Sequence, residues 1–142
     1  MTLQTGTPLT ITAGQDRNLD GLANDRADLV GDPELDHSRP RGDLIEGWFN
    51  TAAFVSPALG TNGSAGRTLL DGPGYRNVDL GLFRDFSLRG RTMLQFRAEA
   101  TNALNIVNLS NPGTNTSAPA TFGKIRAARE MRRIQIGARL SF

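Results

Sequence analysis

Four stretches of the chain alternate between apolar and polar positions, and each predicts a β-strand. In residues 132–142, "RRIQIGARLSF", Ile134, Ile136, Ala138, Leu140 and Phe142 alternate with Arg133, Gln135, Gly137, Arg139 and Ser141. In residues 92–102, Leu94, Phe96, Ala98 and Ala100 oppose Gln95, Arg97, Glu99 and Thr101. In residues 77–88, Val78, Leu80, Leu82, Phe86 and Leu88 share one parity, interrupted by Arg84, while Asp79, Gly81, Phe83, Asp85 and Ser87 take the other. Residues 3–12 are Thr-rich and alternate more loosely. Side chains leave a strand on opposite sides in turn, so a period of two with one apolar parity predicts one greasy face and one wet face.

The connections are unequal. "RGR" at 89–91 predicts a tight turn between the second and third strands. Residues 105–121 and 13–76 are long and have loop composition, with "GDP", "SRPRGD", "GTNGSAG" and "DGPG" along the second. A structureless segment of that length counts against a simple compact domain. No internal repeat is evident. The last three strands, of about 11 residues each, approach the length of a tilted strand that crosses a bilayer. Short turns at one end and long loops at the other are the pattern of an outer-membrane barrel. A soluble antiparallel sheet also alternates. Arg97, Glu99, Gln135 and Arg139 suit a water-filled lumen and a solvated sheet face equally, so alternation leaves both architectures open.

Composition narrows the chemistry. The 142 residues suffice for one ordinary domain. A hydrophobic content of 38% with 16 Gly and 7 Pro favours turns and extended chain over a helical bundle. With no cysteine, a disulfide framework, a thiolate zinc site and a cysteine nucleophile are excluded. The formal net charge of +2 hides an asymmetry. Residues 16–46 hold nine acidic and four basic groups, whereas residues 66–142 hold five acidic and twelve basic, with Lys124 the only lysine. A basic C-terminal half admits a nucleic acid, a membrane surface or an Arg-lined lumen as its neighbour. The opening "MTLQTGTPLTITAG" has neither the basic start nor the apolar core of a signal peptide. No run approaches the ~18 apolar residues of a membrane helix, although strands span membranes without one.

The most suggestive polar stretch is "DRNLDGLANDRADL", residues 16–29. Asp16, Asn18, Asp20, the Leu22 carbonyl and Asn24 occupy the first ligand positions of a calcium loop, D-x-N-x-D-G. The twelfth position, normally a bidentate acid, is Ala27, and no helix pattern precedes the loop. These residues are therefore weak metal candidates, and a solvated acidic loop is the simpler expectation. His37, the only histidine, supports neither a zinc site nor a triad. "RGD" at 41–43 is too short to use, and "TNGSAGRT" lacks the first Gly and the Lys of a phosphate loop. The NxS sequons at Asn62, Asn108 and Asn115 need a glycosylating host. "KIRAAREMRRIQIGARL" would spread charge around a helix and has no interleaved aromatics, so no nucleic-acid partner is expected. Arg126, Arg129, Arg132 and Arg133 are candidate contacts for lipopolysaccharide phosphates instead.

Several stretches, in order, carry a resemblance across nearly the whole chain: "TPLTIT", "NDRADLVGDP", "WFNTAAF", "GRTLLDGPGYRNVDLGLFRDF", "LQFRAEATNALNIVNLSNP", "FGKI" and "RRIQIGARLSF". Together they resemble the C-terminal part of Oar-like TonB-dependent outer-membrane receptors. "EATNAL" departs from the family, which usually has a bulkier apolar residue around Thr101. The closing Ile134, Ile136, Leu140 and Phe142 resemble the C-terminal signal read by the barrel assembly machinery, and an edge strand with an aromatic end is a physical template for strand addition.

The resemblance implies an all-β fold: antiparallel strands of a transmembrane β-barrel near residues 3–12, 77–88, 92–102 and 132–142, in one portion spanning residues 1–142. It implies that the chain is the C-terminal segment of a receptor, because such receptors have a signal peptide, a plug that contacts TonB and ~22 strands, and four strands cannot close a barrel. Its expected partners are outer-membrane lipid, the assembly machinery, the remainder of the barrel and plug, and TonB only through the plug. Arg97, Glu99, Gln135 and Arg139 are expected to face the lumen, the C-terminus the periplasm, and the long loops the cell exterior. No enzymatic activity and no cofactor are expected, and the chain alone is not expected to transport. The alternative is a soluble all-β binding module with a calcium-stabilised loop at residues 16–28.

Overall fold

The computed structural model describes residues 1–88 and 90–142. In chain order its elements are β1 (Thr2–Gln4), β2 (Pro8–Leu9), β3 (Asp28–Leu29), α1 (Arg41–Glu46), a 3-10 turn (Thr51–Ala53), β4 (Phe54–Val55), β5 (Leu70–Asp71), β6 (Tyr75–Asn77), β7 (Leu80–Ser87), β8 (Met93–Thr101) and β9 (Arg133–Ser141). The fold is all-β with one short helix, and it divides into two compact units.

The first unit comprises Met1–Gln4, Tyr75–Asn108 and Arg129–Phe142. Its centre is an open antiparallel sheet ordered β7-β8-β9, whose pairing runs without a bulge from Ser87↔Met93↔Ser141 to Leu80↔Ala100↔Ile134. β1 pairs with β6 in the same unit. At the β7–β8 connection the Leu88 N–H donates to the Thr92 carbonyl at 2.8 Å, and Gly90 takes φ 71°, which suits a residue without Cβ. Arg89, the first residue of the expected "RGR" turn, lies outside the described residues.

The strand expected over residues 77–88 is interrupted. Val78 and Asp79 separate β6 from β7, and the Asp79 carboxylate accepts from Asn77 Nδ2 and from the Asn102 backbone N–H at 3.0 Å. The strand expected over residues 3–12 is likewise two short ones, because the chain changes partner: β1 runs beside β6, and β2 pairs with β5. Gly6 makes the second pairing feasible. A Cβ there would sit 1.8 Å from the Gly72 carbonyl oxygen.

The second unit, Thr5–Gly74 with Leu109–Ala128, takes in most of the segments expected as long loops, 13–76 and 105–121, and gives them packed structure. These segments share a hydrophobic core containing Ile11, Ala27, Phe49, Phe54, Leu70 and Ile125, with Phe122 packed against it. "WFNTAAF" supplies much of that core. Asn50 caps the 3-10 turn by accepting from the Ala52 N–H, which buries Phe49 and Ala53 on the same side as Phe54. Phe49, Phe54 and Phe122 meet edge to face, with centroids 5.3–6.3 Å apart. Trp48 is buried with its Nε1–H donated to the Asp71 carbonyl at 2.8 Å. "RGD" opens α1, whose first turn closes on the Pro40 carbonyl.

Candidate functional site

The register of β7–β9 sorts the alternating residues onto two faces. On one face Asp85, Gln95 and Arg139 form a row, then Phe83, Arg97 and Gly137, then Gly81, Glu99 and Gln135. On the other, the corresponding rows are Phe86, Leu94 and Leu140; Arg84, Phe96 and Ala138; Leu82, Ala98 and Ile136; and Leu80, Ala100 and Ile134. A slip of one residue in either pairing would mix the two sets, so the register itself builds the site.

The polar face brings Arg97, Glu99, Gln135 and Arg139 together around a shallow depression of about 200 Å³, completed by Gly137. Arg97 donates to Glu99 at 3.2 Å, and its guanidinium lies 5.3 Å from the Phe83 ring centroid. Gln95 Nε2 donates to Asp85 at 2.9 Å. Gly137 stands opposite Arg97 on β9 with open space where a Cβ would be, so on that side the long side chain faces no partner side chain directly across. Cations, anions and amides thus alternate within reach of one another, a surface suited to polar solutes of either sign. The Arg97–Glu99 pair is half-exposed, which leaves both groups free to exchange partners.

Among the described residues none covers the apolar face. Leu82 is 70% exposed and Ile136 77%. Of the four residues of the expected assembly signal, Ile134, Ile136 and Leu140 line up on this face, and Phe142, just beyond β9, is 98% exposed. Phe86 and Phe96 contact edge to face at 5.9 Å.

The calcium candidates lie elsewhere, in the second unit. The Asp16 carboxylate accepts from the backbone N–H groups of Leu19, Asp20 and Gly21, and Asp20 accepts from Leu22. Asn18 Nδ2 bridges Asp20 and Asn62, and Asn24 is exposed. Asp25 turns inward and accepts from the Arg17 and Asn18 N–H groups. Ala27, in the twelfth position, is fully buried in the core, so a carboxylate there would have to be desolvated. Among the described residues no three His, Cys, Asp or Glu side chains converge as a metal site. His37 is exposed and stacks on Trp48, 4.4 Å between centroids. Close by, the Ser38 hydroxyl and N–H donate to Asp36 and hold its carboxyl below the usual range.

Two residues that alternation does not single out organise the sheet's loop end. Asn102, at φ 48°, is 4% exposed; its side chain donates to the Ile106 and Glu130 carbonyls and accepts from the Ile106 N–H. Asn108, 3% exposed, binds the backbone of Arg76. The only signal in the sequence is the spacing of Asn102, Asn105 and Asn108 just past a strand, since Asn tolerates left-handed backbone and mimics a peptide group.

No curated protein and no solved structure matches the chain. A family model described as an outer membrane beta barrel domain matches residues 1–135. The two-faced sheet with its uncovered apolar side is the part of the fold that such a domain requires, and the match sets aside the soluble module. The chain belongs to the outer membrane beta barrel domain family, and its place is the outer membrane.

Proposed function

We propose that the chain forms the last strands of the barrel wall of an Oar-like TonB-dependent receptor, a non-enzymatic transporter. One observation carries this reading. Three strands of eight or nine residues hold an unbroken register that gathers their apolar residues on one exposed face, Arg84 excepted, and their polar residues, with Phe83 and Met93 among them, on the other. In a barrel wall the first face meets lipid and the second a water-filled lumen. Arg97, Glu99, Gln135 and Arg139 then line the path of a polar solute.

Three strands cannot close a barrel, so further strands complete the wall, and a plug links it to TonB. The C-terminus faces the periplasm, and Ile134, Ile136, Leu140 and Phe142 present the last strand to the assembly machinery. The connection after β7 is then periplasmic, and the long connecting segments, residues 13–76 and 105–121, are extracellular. Because much of these segments packs on a hydrophobic core of its own, they offer a firmer platform for first contact with a solute than loose loops.

Cysteine accessibility tests the face assignment, and because residues 1–142 hold no cysteine, an introduced one is the single label in this portion. In outer-membrane fragments, Arg97→Cys and Gln135→Cys should react with a membrane-impermeant maleimide. Leu82→Cys and Ile136→Cys should react only after detergent denaturation. Equal labelling of both sets would overturn the assignment.

A further inference from the structure

Arg84 is the one charged residue on the apolar face of β7–β9. Asp85 and Glu99 point to the opposite face, and among the described residues no salt bridge involves Arg84. A lone guanidinium on a lipid-facing strand costs ~2–4 kcal/mol at mid-bilayer, a cost that falls towards the interface. Arg84 lies one row in from Phe86, Leu94 and Leu140, the row next to the β7–β8 connection, and its guanidinium leans back over the Phe86 ring at 5.6 Å. That is the direction in which a snorkelling side chain reaches headgroups.

On the other side of Arg84 the surface is hollow. The central strand carries Ala98 and Ala100, flanked by Leu80 and Leu82 on β7 and by Ile134 on β9, and together they line an apolar groove of about 360 Å³. Ala138, in the Arg84 row, keeps that end of the face low as well. At ~3.4 Å per residue the two groove rows, at Leu82 and Leu80, lie about 7 and 14 Å along the strand from Arg84, within half of the ~30 Å hydrocarbon thickness. An acyl chain of one leaflet that starts at the Arg84 cation therefore reaches the groove with its distal part.

We infer that this face holds one anionic phospholipid of the periplasmic leaflet, its phosphate on Arg84 and an acyl chain in the Ala98–Ala100 groove. The guanidinium offers paired N–H donors that match phosphate oxygens, and Phe86 fixes its direction. The lipid neutralises a charge that the sheet itself leaves unpaired. The inference rests on the proposed reading that this face meets lipid and that the β7–β8 connection is periplasmic.

Native mass spectrometry of the full-length barrel protein, released from nanodiscs of phosphatidylcholine with a minor share of phosphatidylglycerol, tests it. The wild type should retain phosphatidylglycerol selectively. Arg84→Gln should reduce that retention roughly tenfold, Arg84→Lys should keep part of it, and Ala100→Leu should reduce it with the cation intact. Unchanged retention in Arg84→Gln, as expected if a carboxylate of a neighbouring strand pairs with Arg84, would overturn the inference. So would retention of lipid A in place of the phospholipid when both are supplied. Maleimide labelling of Leu82→Cys in the same nanodiscs separates the two failures. A protected cysteine without lipid selectivity refutes this site alone, and a labelled one refutes the face assignment too.

Discussion

The side-chain amide of Asn108 brackets the peptide of Arg76: Nδ2 donates to the Arg76 carbonyl and Oδ1 accepts its N–H, each at 2.8 Å. Asn108 thus acts as one residue of an extra strand, satisfying both backbone groups of a β6 position with a side chain alone. Asn108→Leu, similar in size but without polar atoms, should leave both groups unpaired and destabilise the sheet's loop end by ~1–3 kcal/mol. Thermal unfolding in detergent would measure it. Asn108→Asp should be intermediate, since the acceptor survives and the donor is lost.

The Arg97–Glu99 ion pair should contribute little to stability despite its place in the candidate site. Both side chains are 40–50% exposed, and a pair so placed is worth ~0–1 kcal/mol. A double-mutant cycle with Arg97→Ala and Glu99→Ala should give a coupling below ~1 kcal/mol. A larger value would mean that this face is less open to water than a lumen requires.

Phe49 anchors the aromatic cluster of the second unit and is 2% exposed. Phe49→Ala should cost ~3–5 kcal/mol in that unit. Limited proteolysis should then cut within residues 13–76 at protease levels that spare the wild type. Residues 80–101 should remain protected, because their ladder is built from other contacts.

Asp16 closes its loop by accepting three backbone N–H groups at 2.8–3.1 Å. Asp16→Ala should orphan them, and Leu19, held at φ 67°, should relax out of the left-handed region. Faster amide hydrogen exchange at Leu19, Asp20 and Gly21 would show this. Asp16→Asn keeps an acceptor and should retain much of the protection.

The RGD tripeptide and the calcium-like loop show why short motifs mislead. Arg41–Asp43 begin a helix, and Ala27 stands where a twelfth-position ligand would be because the core needs a small apolar residue there. In each case neighbours distant in the chain decide what the local spelling does.

β7, β8 and β9 were legible in the residues alone, because a strand's two faces are set by the parity of neighbouring positions. Ile134, Ile136 and Leu140 must share a side whatever surrounds them. The composition of the faces followed too, down to Arg97, Glu99, Gln135 and Arg139 lying together. What only the tertiary structure decided was the packing of residues 5–74 and 109–128. Their core joins Ile11 to Ile125 and Phe49 to Phe122, contacts between residues far apart in the chain with no shared period. Gly6 against Gly72 and Asn108 against Arg76 belong to the same class. Alternation reports which way neighbouring side chains point; packing between distant segments depends on shape and on unpaired backbone groups, and neither has a period along the chain.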